Sequence, residues 1–274
     1  MVSVLFKCLV NGESHDTLSI GDRGLHYGDG LFETMAVVDG AIPFWPRHLE
    51  RLRQGCVRLG IDGLAQDGVL ADEMAQVCAG QERAVAKLVV SRGTGGRGYR
   101  PPPPHGLPTR IMILSPWPDH VSRLHNEGAT LRYCDNLLSR NPALAGIKHL
   151  NRLEQVLARQ EWGSDFDEGL MCDDRGLVIE GTMSNLFAVS QGAIMTPDLS
   201  QCGVAGIVRN WVMEQAQSMG VGWEIGAVDR HRLSCTDEIF ITNSIIGVVP
   251  VRRLADRDYP IGTTTIKLID QFPY

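Results

Sequence analysis

Only four lysines occur in the chain, Lys7, Lys87, Lys148 and Lys267, so any reaction that needs a lysine amine has a short list of candidates. A lysine becomes a Schiff-base nucleophile when partial burial favours its neutral form. Lys7 and Lys87 fall inside strand-like alternations and read as solvent-facing. Lys148 differs: it follows Asn141-Pro-Ala-Leu-Ala-Gly-Ile147 and precedes His149-Leu-Asn-Arg-Leu-Glu154, just before an expected helix at the mouth of a second domain. The Gly-rich run Gly93-Thr-Gly-Gly-Arg-Gly98 suggests a nucleotide loop at first sight. No Lys-Ser or Lys-Thr follows it, and prolines rather than a helix come next, so neither phosphate-loop geometry is available. Its glycines suit a loop that closes over a site. Cys8, Cys56, Cys78, Cys134, Cys172, Cys202 and Cys235 lie far apart, without metal-like spacing, and read as reduced packing thiols.

These groups need elements to hold them. A strand is expected over Val4–Val10, closed by Asn11-Gly12, and another apolar run over Met35–Val38 ends at Asp39-Gly40. Leu49, Leu52, Cys56 and Leu59 have helical spacing within a helix expected over Pro46–Leu59. Ala84–Val90 and Arg110–Leu114 read as strands flanking the glycines and the run Pro101–Pro104. After Pro116-Trp117-Pro118 the pattern changes to a strand at Ala129–Tyr133, a helix at Asn151–Trp162 and several short strands. A helix is expected over Val204–Met219, then strands at Glu238–Thr242 and Val248–Val251. The organisation implied is a domain over residues 1–115, a linker over 116–121 and a larger domain over 122–274. A net charge of -6 gives no broad basic surface for nucleic acid. No apolar run approaches membrane-spanning length and no leader pattern is evident, so a cytoplasmic protein is expected.

Ala145-Gly-Ile-Lys-His-Leu-Asn-Arg-Leu-Glu154 resembles the cofactor-lysine motif of aminodeoxychorismate lyases, within the fold-type-IV pyridoxal-phosphate group. Other segments resemble that group in the same order: Asp22-Arg-Gly-Leu-His-Tyr-Gly-Asp-Gly-Leu-Phe-Glu-Thr34, His48-Leu-Glu-Arg51, Ser91-Arg-Gly-Thr-Gly-Gly-Arg-Gly-Tyr99, Glu180-Gly-Thr-Met-Ser-Asn-Leu-Phe187 and Gly203-Val-Ala-Gly-Ile-Val-Arg209. The ordered set is far more specific than any member of it.

The resemblance implies an α+β, two-domain fold-type-IV enzyme, with a smaller sandwich-like N-terminal domain and a larger barrel-like C-terminal domain. It implies pyridoxal 5'-phosphate on Lys148. Glu180 would keep the cofactor's ring nitrogen protonated, as a carboxylate does beside a pyridinium. Arg51, Ser244 and the backbone N–H groups of Ile207 and Val208, at a helix start, would bind its phosphate. Arg97 would reach a substrate carboxylate, and His26, Tyr27 and Arg209 would serve either substrate or structure. A homodimer is expected from the same source.

Three chemistries share this scaffold: branched-chain transamination, D-amino-acid transamination and the lyase reaction. Thr34 favours the lyase, because a hydroxyl in the Phe-Glu-x motif is useful only where an extra proton is transferred; His149-Leu-Asn-Arg-Leu points the same way. The aminotransferases stand as alternatives, and a non-enzymatic anion-binding protein is the outside reading.

Overall fold

The computed structural model describes residues 7–101 and 107–274. Val4 to Phe6 of the first expected strand and Pro102 to Pro104 lie outside them. The chain divides into two compact units, Met1–Pro118 with Ile147–Asn151, and Asp119–Gly146 with Arg152–Tyr274. The sequence reading put Lys148 with the later domain, whereas its short segment belongs to the first unit. The reason is main-chain pairing: Lys148 accepts a hydrogen bond from the amide of Phe32 (2.9 Å), and the Leu150 amide donates to Gly30 (3.0 Å).

The first unit contains β1 (Lys7–Val10), α1 (Arg23–Tyr27), β2 (Gly30–Val38), α2 (Trp45–Leu59), α3 (Asp67–Cys78), β3 (Arg83–Ser91) and β4 (Thr109–Pro116). Its sheet is antiparallel in the order β1-β4-β3-β2. Asn11-Gly12 and Asp39-Gly40 form two-residue turns with positive φ at both positions, the conformation that matches the twist of the strands they follow. Alternation along β2 decides what each face does. Leu31, Glu33, Met35 and Val37 are buried, while Phe32 and Thr34 on the other face are half-buried. Helix α2 covers the first of these faces, with Gly55 so close to Leu31 that a Cβ there would come within 2.8 Å of its side chain.

The second unit comprises α4 (Val121–Glu127), β5 (Ala129–Tyr133), α5 (Leu153–Arg159), β6 (Glu168–Cys172), β7 (Val178–Gly181), β8 (Asn185–Ser190), β9 (Ala193–Pro197), α6 (Ile207–Ser218), β10 (Trp223–Gly226), α7 (Arg230–Ser234), β11 (Glu238–Asn243), β12 (Gly247–Leu254), β13 (Arg257–Asp258) and α8 (Thr263–Gln271). Its mixed sheet runs β10-β9-β8-β11-β12-β5-β6-β7, with β13 on β12, and curls into a half-barrel. Phe187 and Phe240, register partners on β8 and β11, stack with centroids 4.8 Å apart in the core. Strands β6 to β8 are buried on both faces up to Ser190, so their apolar residues, 170–172, 178–179 and 186–189, fall in short unbroken runs rather than in alternation.

Candidate active site

In the first unit the site is built on β2. Because Lys148 is hydrogen-bonded to Phe32 through its main chain, its side chain is delivered to the Phe32 face, with Nζ 4.5 Å from the ring centroid. Thr34 lies two residues along the same strand face.

Beneath that face sits a buried charge cluster. Glu33, 1% exposed, takes Arg51 Nε on Oε1 at 2.8 Å and Arg51 Nη2 on Oε2 at 2.5 Å, and His48 Nδ1 bonds to Oε2 at 2.6 Å. His48 and Arg51 are three residues apart on α2, which places both on one helix face. Burial by itself would raise the Glu33 carboxyl. The Arg51 charge and the bonds from His48 and Arg51 outweigh it and hold the group at about 2. Burial lowers the His48 imidazole despite Glu33, and the Arg51 and Lys148 charges lower it further. Arg51 is therefore a guanidinium fixed in orientation by a two-point carboxylate grip. The sequence motif singled out Arg51 but not Glu33, His48 or Phe32; the only signal for them was their place inside the same short motifs.

Tyr27 and the Gly-rich loop come together. The Tyr27 hydroxyl accepts from the Gly98 amide at 3.2 Å, and its ring meets that of Tyr99 edge-on at 5.5 Å. Arg23 donates to the carbonyls of Gly98 and Tyr99 and to Asp29, which Arg92 also grips. This Arg23–Asp29–Arg92 network, absent from the sequence-based expectations, ties the loop to α1. Arg97 is exposed on that loop. His26 is exposed as well, and its Nε2 is committed to the Ile20 carbonyl at 2.5 Å.

In the second unit Glu180 is 4% exposed on β7, and its Oε2 accepts the Val204 amide at 2.8 Å. Gly203 has φ +87°, and a Cβ there would stand 3.2 Å from that same oxygen. Asn185 donates to the Val204 carbonyl at 2.9 Å, and its Oδ1 lies 2.0 Å from where a Gly206 Cβ would be. These contacts set the entry to α6, whose first N–H groups, at Ile207 and Val208, have no partner within the helix. The side chains of Ile207 and Val208 are buried anchors, so only their main chain could serve a ligand. Ser244 is 9% exposed in the turn after β11. Two residues before it, directly opposite Asn185, Thr242 has a buried hydroxyl without a hydrogen-bond partner among the described residues. An anion accepting from helix N–H groups and hydroxyls fits such a donor set. Arg209 is a structural residue: it is 5% exposed, donates to Thr196 Oγ1 and the Pro197 carbonyl, and so bolts α6 to β9.

A further buried group, Glu168, orders the turn after Glu180. Its carboxylate accepts from the Thr182 and Met183 amides at 3.0 and 3.1 Å and from Ser184 Oγ at 2.8 Å.

The family model for class IV aminotransferases matches residues 30–254. The chain belongs to that family. Class IV enzymes depend in general on pyridoxal phosphate. Among them the chain is 36% identical to an aminodeoxychorismate lyase of Vibrio harveyi, over 94% of this chain and 97% of that one. It is 33% identical to a putative branched-chain-amino-acid aminotransferase of Methanocaldococcus jannaschii, over 97% and 95% of the two chains. A crystal structure of 4-amino-4-deoxychorismate lyase from Pseudomonas aeruginosa superposes with a TM-score of 0.91 at 46% identity, covering 96% of this chain and 97% of that one. This class IV chain has no helix, among its described residues, long and apolar enough to cross a membrane.

Proposed function

We propose that the protein is a pyridoxal-phosphate-dependent lyase that splits 4-amino-4-deoxychorismate into 4-aminobenzoate and pyruvate. The observation that carries this reading is the Lys148 amine over Phe32, on the strand face that also presents Thr34. The similarity to lyases of V. harveyi and P. aeruginosa supports it.

Lys148 would carry the cofactor, Glu180 would keep a proton on its ring nitrogen, and Arg51, Ser244 and the amides of Ile207 and Val208 would hold its phosphate. When bound, the cofactor supplies an electron-accepting ring to the amine-bearing substrate. The Lys148 amine would act as the base that takes the proton from the ring carbon bearing nitrogen. Thr34 donates a proton to the departing enolpyruvyl group, which leaves as pyruvate, and the remaining ring becomes aromatic. Tyr27 and Arg97 are assigned to the substrate, Tyr27 by shaping the loop and Arg97 by reaching a carboxylate. His26 is assigned there too, although its bond to Ile20 must open first.

We also place the enzyme in the cytoplasm, in keeping with seven free cysteines, and read it as a homodimer. Helix α5 exposes Leu153, Val156 and Leu157 at helical spacing, an apolar stripe suited to a second copy.

Incubating the yellow, cofactor-loaded protein with aminodeoxychorismate should release pyruvate with no keto acid added. Lys148→Ala should abolish release and leave no cofactor fixed by borohydride. Thr34→Val should keep borohydride fixation while slowing release by about a hundredfold, the lower range for a lost general acid. The second reading is an aminotransferase, favoured by the M. jannaschii relative. Pyruvate that forms only from alanine in the presence of a keto acid would decide for it.

A further inference from the structure

The turn that carries Ser244 joins β11 to β12, and both ends of its Ser244–Ile245 peptide are committed. The Tyr274 hydroxyl donates to the Ser244 carbonyl at 2.8 Å, and the Ile245 amide donates to Asn243 Oδ1, also at 2.8 Å. A peptide unit is planar, so gripping its oxygen and its nitrogen together leaves the plane little freedom, and with it the Ser244 side chain. Asn243 Oδ1 takes the Ile246 amide as well, at 2.9 Å, and Gly247 opens β12 with φ +63°. A Cβ at Gly247 would stand 2.7 Å from the Phe272 ring, so glycine is what admits that ring.

Phe272 and Tyr274 follow α8 and pack on each other, their ring centroids 4.6 Å apart. Phe272 also meets Trp211 edge-on at 5.1 Å, and Trp211, 5% exposed, lies about one turn beyond Ile207 on α6. This short segment therefore touches both elements assigned to the cofactor's phosphate in this unit: the turn at Ser244, and the helix whose first amides are those of Ile207 and Val208. Burial pushes the Tyr274 phenol up from the usual tyrosine range, which keeps it a donor. Donors already in place bind an anion more tightly than donors that the anion must order. Resting on the phosphate site assigned above, we propose that Tyr274 is a positioning residue for the cofactor's phosphate. Together with Phe272 it straps the Ser244 turn to α6 and sets the phosphate donors before the cofactor arrives.

The test titrates the whole chain, freed of cofactor, with pyridoxal 5'-phosphate and with pyridoxal, which has the same aldehyde and no phosphate. Uptake is read from the absorbance of the bound form. Tyr274→Phe removes one oxygen and keeps the ring. It should bind pyridoxal 5'-phosphate about three- to tenfold more weakly, as expected for one lost neutral hydrogen bond, and bind pyridoxal as the wild type does. Phe272→Leu, which removes the ring that bridges to Trp211, should show the same selective loss. Unchanged affinity for the phosphate form in Tyr274→Phe, or an equal loss for the two ligands, would overturn the role, since a residue that only stabilises the chain weakens both alike. Ser244→Ala is measured in parallel and should also lose affinity for the phosphate form alone. A Ser244 effect without a Tyr274 effect would overturn the positioning role and leave the phosphate site standing. A Ser244→Ala protein that binds both ligands like the wild type would overturn the site itself, and this role with it.

Discussion

At the scale of single residues, the charge cluster under β2 makes the strongest demand. Glu33 is buried and anionic because Arg51 and His48 complete it. Its folded-state pKa, about 2, lies below the ordinary value of 4.5, so it contributes stability that is fully present above pH 4.5 and is lost as pH falls towards 2. That contribution amounts to about 3 kcal/mol. Urea unfolding measured from pH 6 down to pH 2.5 should therefore show a steep loss for the wild type. In Glu33→Gln the curve should be flatter over that window and start lower by about 3–5 kcal/mol, because the part-buried Arg51 loses the carboxylate that grips it. Equal pH slopes in the two proteins would contradict the cluster's role.

The elements around these residues were legible to different degrees. Helix α2 and strands β3 to β5 fall close to where their periodicity puts them, since Leu49, Leu52 and Cys56 or the alternation through Ala84, Ala86 and Leu88 mark one buried face. Strand β2 begins at Gly30 rather than Met35; its first part, residues 31–34, mixes apolar with polar and charged residues, which hides its start in the sequence. Helix α3 had no counterpart among the expectations, although Leu70, Met74 and Val77 have helical spacing; Gly68 and the alanines blur its polar face. The helix expected from Asn151 starts only at Leu153 and ends at Arg159, because the preceding residues are drawn into pairing with β2. Lys87, half-buried with its Nζ over the Phe32 ring, read as solvent-facing for a related reason: alternation separates the two faces of a strand without saying what else packs on each. For the candidate site, the family motifs supplied Lys148, Thr34, Glu180 and Arg51, while Phe32 and Glu33 emerged only as contacts of Lys148 and Arg51, and Asn185 and Glu168 only as groups that fix the α6 entry and the turn after β7.

The entry to α6 also makes a prediction at this scale. Gly206→Ala drives a methyl into Asn185 Oδ1, so either the cap or the Asn185–Val204 bond must give way. Titration of the apo-protein with pyridoxal phosphate should show weaker uptake for this variant. Asn185→Ala in the same chain should relieve the clash and recover part of the loss in melting temperature, with the two changes departing from additivity as contacting residues do. A variant that takes up cofactor like the wild type would remove this helix start from the phosphate site.

For the whole molecule, the second unit holds the larger sheet, and α5 on it carries the exposed stripe of Leu153, Val156 and Leu157. Leu153→Glu with Leu157→Glu should convert the sedimenting species from dimer to monomer without lowering the unfolding free energy of the single chain by more than about 1 kcal/mol, since both side chains are exposed in one copy. A dimer that survives the double change would place the interface elsewhere.

The main-chain ladder that carries residues 147–151 along β2 has a consequence for how this site could change over time. Lys148 is registered by peptide groups, whereas Thr34 offers the proposed site a side chain alone. Replacing Thr34 therefore leaves the Lys148 amine where it was, and a lineage or an engineer could exchange the proposed acid while the lysine keeps its station.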